Sequence, residues 1–443
     1  MFYPESKEHL QSIIHTAREN GTALVPVSSG APHIHGASEN AGAETVCFEK
    51  MSRILKIDRY SRYVRVEAGV TFGELIPAAA ARGLRLNHPF LPRANKSVVA
   101  SALEREAVMA AKYQYDYTDP LLNVEIVFGT GDDFRTGSAS GPGPAEELKA
   151  DMVTPWGPGA IDFLRFFTGA QGTMGFVTWA TLKAELLPCL DRLRFVEADE
   201  AGKLTSLANT LLRRRIPDDC VILNDVNFAA AFSGDEAEAD ILRRHLPPWV
   251  MICRVCGYER YPERRVSIYQ GYLEDACREA GLRAVPAPFG LDGIEERVEK
   301  LLFDCDSRET WWKMRRGGLR EILFLTPPVA APSLLRILQH ERGPRPGSAP
   351  GITLQPQVQG RAFRVECDVF YDAASHVEAR QADEFRDAAE KELFAKGAYF
   401  DRPYGRKLSD MVYAADRTGT ESLRKLKKIF DPDGILNPGK LCF

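Results

Sequence analysis

The chain has 443 residues, 44% of them hydrophobic and 27% charged, with a formal net charge of −4. That length and balance suit two or three well-packed domains. They exclude the one-sided basic surface of a nucleic-acid binder, and no apolar run reaches the ~20 residues of a membrane span.

In chain order, SKEHLQSIIHTAREN has helical spacing, with Ser6 as N-cap and Gly21 as its stop. ALVPV, ETVCFEKM and YVRVEAGV read as strands. Thr71 caps a helix over FGELIPAAAARG that ends at Gly83. LLNVEIVFGTGDDFRTG is a hairpin turning at Gly129 to Asp132, AIDFLRFFTGA reads as a helix, and a strand starts at Gly175. After Pro188 helices such as AGKLTSLANTLLRRR and ERRVSIYQGYLEDACREAG alternate with strands such as WVMICRVCGYE and RAFRVECDVFYD. That texture predicts an antiparallel sheet backed by helices. QHERGPRPGSAPGITLQPQVQG reads as a loop, and GTESLRKLKKIF as a last helix stopped by DPDG.

The opening MFYPESKEHLQS has no basic stretch followed by an apolar core, so no signal peptide is expected. Nine scattered cysteines fit a reducing compartment, and the cytoplasm is the expected location. Cys253 and Cys256 of CRVC sit in a strand-like run and read as packed thiols, and the chain has no iron–sulfur spacing. The eight histidines give no pair at ligand spacing beyond Pro188, so no catalytic metal is expected.

The segment VPVSSGAPHIHGAS, Val25 to Ser38, breaks from a strand into small residues. Loops of this kind hold phosphate on free backbone N–H groups. Ser28, Ser29, Gly30 and Gly36 supply the small side chains, and Ser97 and Ser101 offer hydroxyls to the same phosphates. Pro32 brings no N–H. Each piece alone reads equally well as an ordinary turn.

Taken in order, PVSSGAPHIHG, RILKIDRYSRYVRVEAGVTFGELIPAAAARGL, SVVASALER, NVEIVFGTGDDFRTG, TPWGPGAIDFLRFFTGAQGTMGFVTWATLKAELLP and KKIFDPDGILNPGK resemble one family. It is the FAD-linked oxidoreductase family of vanillyl-alcohol oxidase and the p-cresol methylhydroxylase flavoprotein. The resemblance implies an α+β, two-domain fold: an FAD-binding domain over residues 1–188, a cap of antiparallel sheet and helices over 189–404, and a return to the first domain over 405–443. It implies FAD held by Ser28, Ser29, Gly30, His33, Gly36, Ser97, Ser101, Arg105, Gly172, Gly175, Val177, Asn437 and Lys440. A covalent flavin link through His33 is one option it raises; hydrogen bonding by His33 and His35 is the plainer one. The implied reaction moves a hydride from an alcohol, hydroxy-acid or benzylic C–H to flavin N5, with Tyr399, Arg402 and Tyr404 holding the substrate oxygen. Electrons would pass to oxygen or to a cytochrome or iron–sulfur partner, within a homo- or hetero-oligomer.

The sequence also departs from the pattern. Ala100-Ser101 replaces a Gly-Asn pair and Glu106 stands where Gly is usual, with Lys96 as a nearby charge for the phosphates. The phenol-oxidising members carry an Asp and a Tyr where this chain has Pro92 and Met109, and Asp116 among Tyr113, Tyr115 and Tyr117 is the candidate substitute. These losses sustain a rival expectation, a flavoprotein-like subunit kept for assembly.

Overall fold

A computed structural model describes residues 1–35, 42–140, 154–157, 162–287, 293–340 and 349–443. Helix α1 (Lys7–Asn20) starts where the Ser6 hydroxyl accepts the His9 N–H at 3.2 Å and ends at Gly21, whose φ of 64° turns the chain away. Its apolar stripe Leu10, Ile13, Ile14 and Ala17 is buried. β1 (Leu24–Val27) then pairs in parallel with β2 (Glu44–Cys47).

The main sheet of this half runs β3 (Ile54–Asp58), β4 (Tyr63–Glu67), then β8 (Phe176–Leu186), β6 (Leu121–Val127) and β7 (Asp133–Arg135). β5 (Leu84–Leu86) joins the far end of β8. A Thr71–Glu74 capping box starts α2 (Phe72–Ala80), and Ser97 caps the short α3 (Val98–Leu103). Both helices bury apolar residues against this sheet. The expected helix over AIDFLRFFTGA is corrected: its described part is a single 3₁₀ turn, Phe163–Phe166. There Phe163, Phe166 and Phe167 stack among Phe128, Phe134 and Phe430, so tertiary packing overrides local helical pattern.

The second sheet has seven strands in the order β12 (Ala284–Val285), β9 (Leu190–Ala198), β11 (Trp249–Gly257), β10 (Asp219–Asn224), β14 (Gly351–Gln357), β15 (Ala362–Asp372) and β13 (Gly317–Thr326). Every neighbouring pair is antiparallel. One face is packed by α4 (Ala201–Arg213), α7 (Pro262–Glu279), α9 (Ala331–His340) and α10 (His376–Ala395). The other face meets α5 (Asp225–Phe232), α6 (Glu236–Arg243) and α8 (Ile294–Leu302) over part of its width. Strand alternation sorts the residues: Val365, Cys367 and Val369 enter the helix-packed core, which turns Glu366 and Asp368 the other way. Cys253 and Cys256 are buried on β11 as free thiols.

The sequence reading placed GITLQPQ in a loop, and this too is corrected, because it forms the interior strand β14 between β10 and β15. Pro356 is tolerated because β10 pairs only as far as Leu354, so its missing N–H leaves no ladder gap on that side. Residues 341–348 of that expected loop lie outside the described residues. After α11 (Arg406–Ala415) and α12 (Arg417–Phe430) the chain returns to β1, where Leu24 N–H donates to the Ile435 carbonyl and Asn437 N–H to the Leu24 carbonyl. Lys427, unremarked in the sequence, pins this tail through Thr173 O at 2.6 Å, Leu436 O at 2.9 Å and the Asp431 carboxylate. Among the described residues no helix is long and apolar enough to cross a membrane.

Candidate functional site

A deep cleft separates the two sheets. Its floor is the loop after β1, the segment around α3, and Gly169 to Val177 leading into β8. Its roof is the inner face of β13, β14 and β15, together with Trp311 to Lys313 and Arg402 and Tyr404.

The loop behaves as its composition asked. Ser28, Ser29, His33 and Ile34 line the cleft, and among the described residues their backbone N–H groups, with that of Ala31, donate to no protein acceptor. Gly30 has a different job from the one expected. Its N–H donates to Asn95 O at 3.1 Å and its carbonyl accepts from Arg93, which ties the two floor segments together. A Cβ on Gly30 would stand 2.7 Å from the Asn95 amide nitrogen, so a larger residue there would displace the Asn95 side chain. Gly36 lies outside the described residues. Burial and the neighbouring Arg93 hold the His33 imidazole below its ordinary pKa, so it is neutral.

The segment at α3 is where the expectation fails. The Ser97 hydroxyl is spent on Ala68 O and on the helix cap, and the Ser101 hydroxyl on Glu106. Arg105 turns away to the Thr168 carbonyl and hydroxyl. Lys96 pairs with Glu104 at 2.9 Å and with Glu106, so it is no free phosphate clamp. Burial works against the charge on Glu106, but Lys96 outweighs it and keeps the carboxyl below its usual range. Gly172, Gly175, Val177 and Asn437 line the cleft as expected, whereas Lys440 is buried and does not. Asn437 donates to Gln171 O at 2.6 Å and keeps a buried Oδ1 without a donor.

The roof holds a cluster the sequence reading did not assemble: it set Glu366 and Asp368 on cap strands without assigning their face, and it did not single out Lys313 or Glu321. Lys313 lies in the short turn before β13 and donates to Glu321 and Asp368 at 2.9 Å each, and it pairs with Glu366 as well. Register explains the convergence: Glu321 faces Asp368 directly across β13–β15, and Glu366 lies opposite Leu323 one step on. Carboxylate atoms of these three residues lie within 4.8 Å of one another, with the lysine supplying the cation. Burial opposes ionisation of Glu321, yet Lys313 and His35 drive its pKa well down; burial and Glu321 push Asp368 up. His35 reaches from the floor loop to Glu321 at 2.6 Å and stacks on Tyr404 with ring centroids 4.0 Å apart. The available signal was acids inside apolar runs, one in REILFLT and two in VECDVF.

Arg402 is 5% exposed, lines the cleft, and among the described residues makes no hydrogen bond. Burial disfavours its charge, but Tyr404, Asp401 and Glu106 outweigh that and hold the guanidinium protonated. Tyr399 is a correction: it is 64% exposed and pairs through its backbone with Leu325 outside the cleft. Asp116 is another, since it accepts from Thr118 and pairs with Arg165 at the surface. Met109 is buried in the apolar core beneath the second sheet, while Pro92 does line the cleft.

These residues fit a ligand with phosphates and a flat ring. Unused loop N–H groups and a buried, unpartnered guanidinium suit anionic oxygens. The orphan Asn437 Oδ1 suits a donor edge, and Phe176, Val177, Leu323 and Trp312 give apolar walls. Fold and cleft together define a two-domain FAD-binding flavoprotein with an antiparallel cap.

Comparison with known proteins agrees. The FAD binding domain family matches residues 1–137, and the C-terminal domain of FAD linked oxidases matches residues 406–441. The chain is an FAD-linked oxidoreductase, and its cofactor is FAD. The glycolate oxidase subunit GlcD of Bacillus subtilis is 27% identical over 182 residues, which is 41% of this chain but only 35% of that subunit. D-2-hydroxyglutarate dehydrogenase of Stutzerimonas stutzeri is 28% identical over 99% of this chain and 90% of its own length. The structure of p-cresol methylhydroxylase with substrate bound superposes with a TM-score of 0.83 at 17% identity, covering 100% of this chain and 88% of that one.

Proposed function

We propose that this oxidoreductase oxidises a small hydroxy acid at the carbon next to its carboxylate. The observation that carries this reading is Arg402, a buried guanidinium in the cleft with no protein partner. A carboxylate completes it bidentately. Pro92 and Met109 in place of the family's Asp and Tyr argue against a phenol, and the match to a hydroxy-acid dehydrogenase supports the choice.

Bound FAD supplies the hydride acceptor. The chain does the rest. Ser28, Ser29 and the loop N–H groups hold the phosphates, and Asn437 and the Gly172 to Val177 strand entry hold the ring. Arg402, with Tyr404 beside it, orients the acid. The hydroxyl proton goes to His35: with its Nε2–H donated to Glu321, its Nδ1 carries the lone pair. Lys313 keeps Glu321 ionised for that task, and Trp311 and Trp312 exclude water from the roof. A partner redox protein bearing haem or an iron–sulfur centre would take the electrons; that the Bacillus subtilis relative is one subunit of a glycolate oxidase supports a partner. We also place the domain boundaries at 188/189 and 404/405, where Pro188 separates β8 from β9.

Anaerobic mixing of flavin-loaded protein with D-2-hydroxyglutarate, D-lactate and p-cresol tests the reading. Bleaching of the flavin band by a hydroxy acid and not by the phenol is expected, and the reverse order sinks it. Arg402→Met should raise KM by about 100-fold, in line with ~3 kcal/mol for a charge-assisted pair. Acid precipitation should leave all flavin in the supernatant, since we take FAD to be held without a His33 link.

A further inference from the structure

The diphosphate of FAD is doubly anionic, and backbone N–H groups answer it only as dipoles. The cations that the motifs carry toward it are engaged elsewhere. Lys96 is held by Glu104 and Glu106, Arg105 by Thr168, and Lys440 does not line the cleft.

Arg93, which lies on the floor segment just before α3, differs from all three. It is 7% exposed and lines the cleft. Its Nη1 donates to the Gly30 carbonyl at 3.0 Å and to Asn95 Oδ1 at 3.3 Å. Gly30 is the middle of the phosphate loop, between Ser29 and Ala31, whose own N–H groups are unused. Trp311 of the roof covers the guanidinium, which stands 5.5 Å from its ring centroid. Among the described residues Arg93 Nε and Nη2 have no protein partner, and neither is sealed from the cleft. These two nitrogens form the side-on fork of a guanidinium, the edge that takes two oxygens of one anion.

No carboxylate among the described residues bonds Arg93. Glu104, Glu106 and Glu321 lie within electrostatic range, but Lys96 holds the first two, and Lys313 and His35 hold the third. Burial therefore outweighs these acids and lowers Arg93 below the ordinary guanidinium range, whereas at Arg402 the acids win. The charge of Arg93 is also felt at His33 of the same loop, whose pKa it helps to lower. Arg93 is thus a buried cation fixed to the loop and still short of an anion.

We propose that Arg93 is the cationic clamp on the FAD diphosphate, with Nη1 anchored on Gly30 and the Nε–Nη2 fork offered to the phosphate oxygens. The proposal rests on the loop's holding the phosphates. It moves their counter-charge from Lys96 to a residue that the motifs leave out.

Dialysis of the flavin-loaded, full-length protein tests this over a range of salt. Arg93→Met should lose FAD about 30-fold faster than wild type at low ionic strength, as expected for one charge-assisted contact. The gap should narrow as added ions screen the departing diphosphate. Arg93→Lys, which keeps the charge without the fork, should fall between the two. Equal FAD loss from wild type and Arg93→Met overturns the proposal. So does a gap that salt leaves unchanged, which would assign Arg93 to tying Gly30 to Asn95 and nothing more. Should Arg93→Met purify without flavin or fail to fold, a crystal structure of the flavin-loaded wild type decides. Arg93 within hydrogen-bond distance of a phosphate oxygen supports the clamp. A diphosphate on the loop but off Arg93 overturns this inference alone; a diphosphate away from the loop overturns the loop assignment with it.

Discussion

Two lysines face the same cleft from opposite walls, each ringed by carboxylates, and they differ in charge balance. Lys96 on the floor answers two, Glu104 and Glu106. Lys313 on the roof answers three, and His35 reaches across to one of them. On the floor, Lys96 keeps Glu106 ionised, so the group is a closed plug. On the roof the acids outnumber the cation, and the buried pair splits, Glu321 driven down and Asp368 pushed up. On the floor Arg402 adds a second positive charge near Glu106, whereas the roof keeps acids to spare and can hold an extra proton. The same side-chain types thus serve sealing in one place and proton handling in the other.

The comparison breaks most sharply at Lys313. Lys313→Met removes the cation that Glu321, Glu366 and Asp368 share and should cost about 3–5 kcal/mol at pH 7 by urea denaturation. The orphaned acids would then have raised folded pKa values, which contribute stability below the ordinary carboxylate range and lose it as pH rises. The deficit should shrink at pH 5, and a deficit that stayed constant would refute the cluster's role. Lys96→Met should cost less, about 2 kcal/mol, because Glu104 and Glu106 are 30% and 24% exposed and water can answer them.

Glu390 on α10 sets the baseline of a buried acid with no lysine partner. Burial, which the nearby Arg386 only partly offsets, pushes it up to about 8. Its raised pKa gives stability that is full below the ordinary carboxyl value and lost as pH climbs through about 8. Glu390→Gln should therefore be neutral at pH 4 and stabilising by roughly 4 kcal/mol at pH 8.5, read from denaturation at both pH values. The smallest effect is expected at Glu106→Gln: stability within about 1 kcal/mol of wild type, but FAD retained about tenfold more tightly in dialysis, as one anion leaves the phosphate wall. Weaker FAD retention would show that Glu106 holds the cofactor rather than crowding it.

What the sequence made legible was local. Ser6, Thr71 and Gly21 act within a few residues of themselves, and the Ser28-Ser29 loop needs only its own backbone. Asn437 and Arg402 were found because motifs carried them into the cleft. The Lys313 cluster was hidden because Lys313, Glu321 and Glu366 meet only through the register of β13 on β15. Ser97 and Ser101 misled for the opposite reason: their hydroxyls had nearer uses, a helix cap and a neighbouring Glu, that residue type alone does not reveal. Tyr399 sits next to buried Phe400, and a one-residue alternation put it outside.

The Arg18 guanidinium bonds Asp433 at 2.7 Å, 415 residues further along. That contact, with the Leu24 and Asn437 backbone bonds, means the flavin half is stitched by segments made early and late relative to each other. Both halves can finish their large sheets as they emerge, but α1 and the β1 edge of the flavin half must wait for the tail. Their docking is the longest loop closure in the molecule, and such non-local closures are the slow ones. A premature stop just before residue 431 would therefore spare the later-made cap and unravel the edge whose residues were translated earlier.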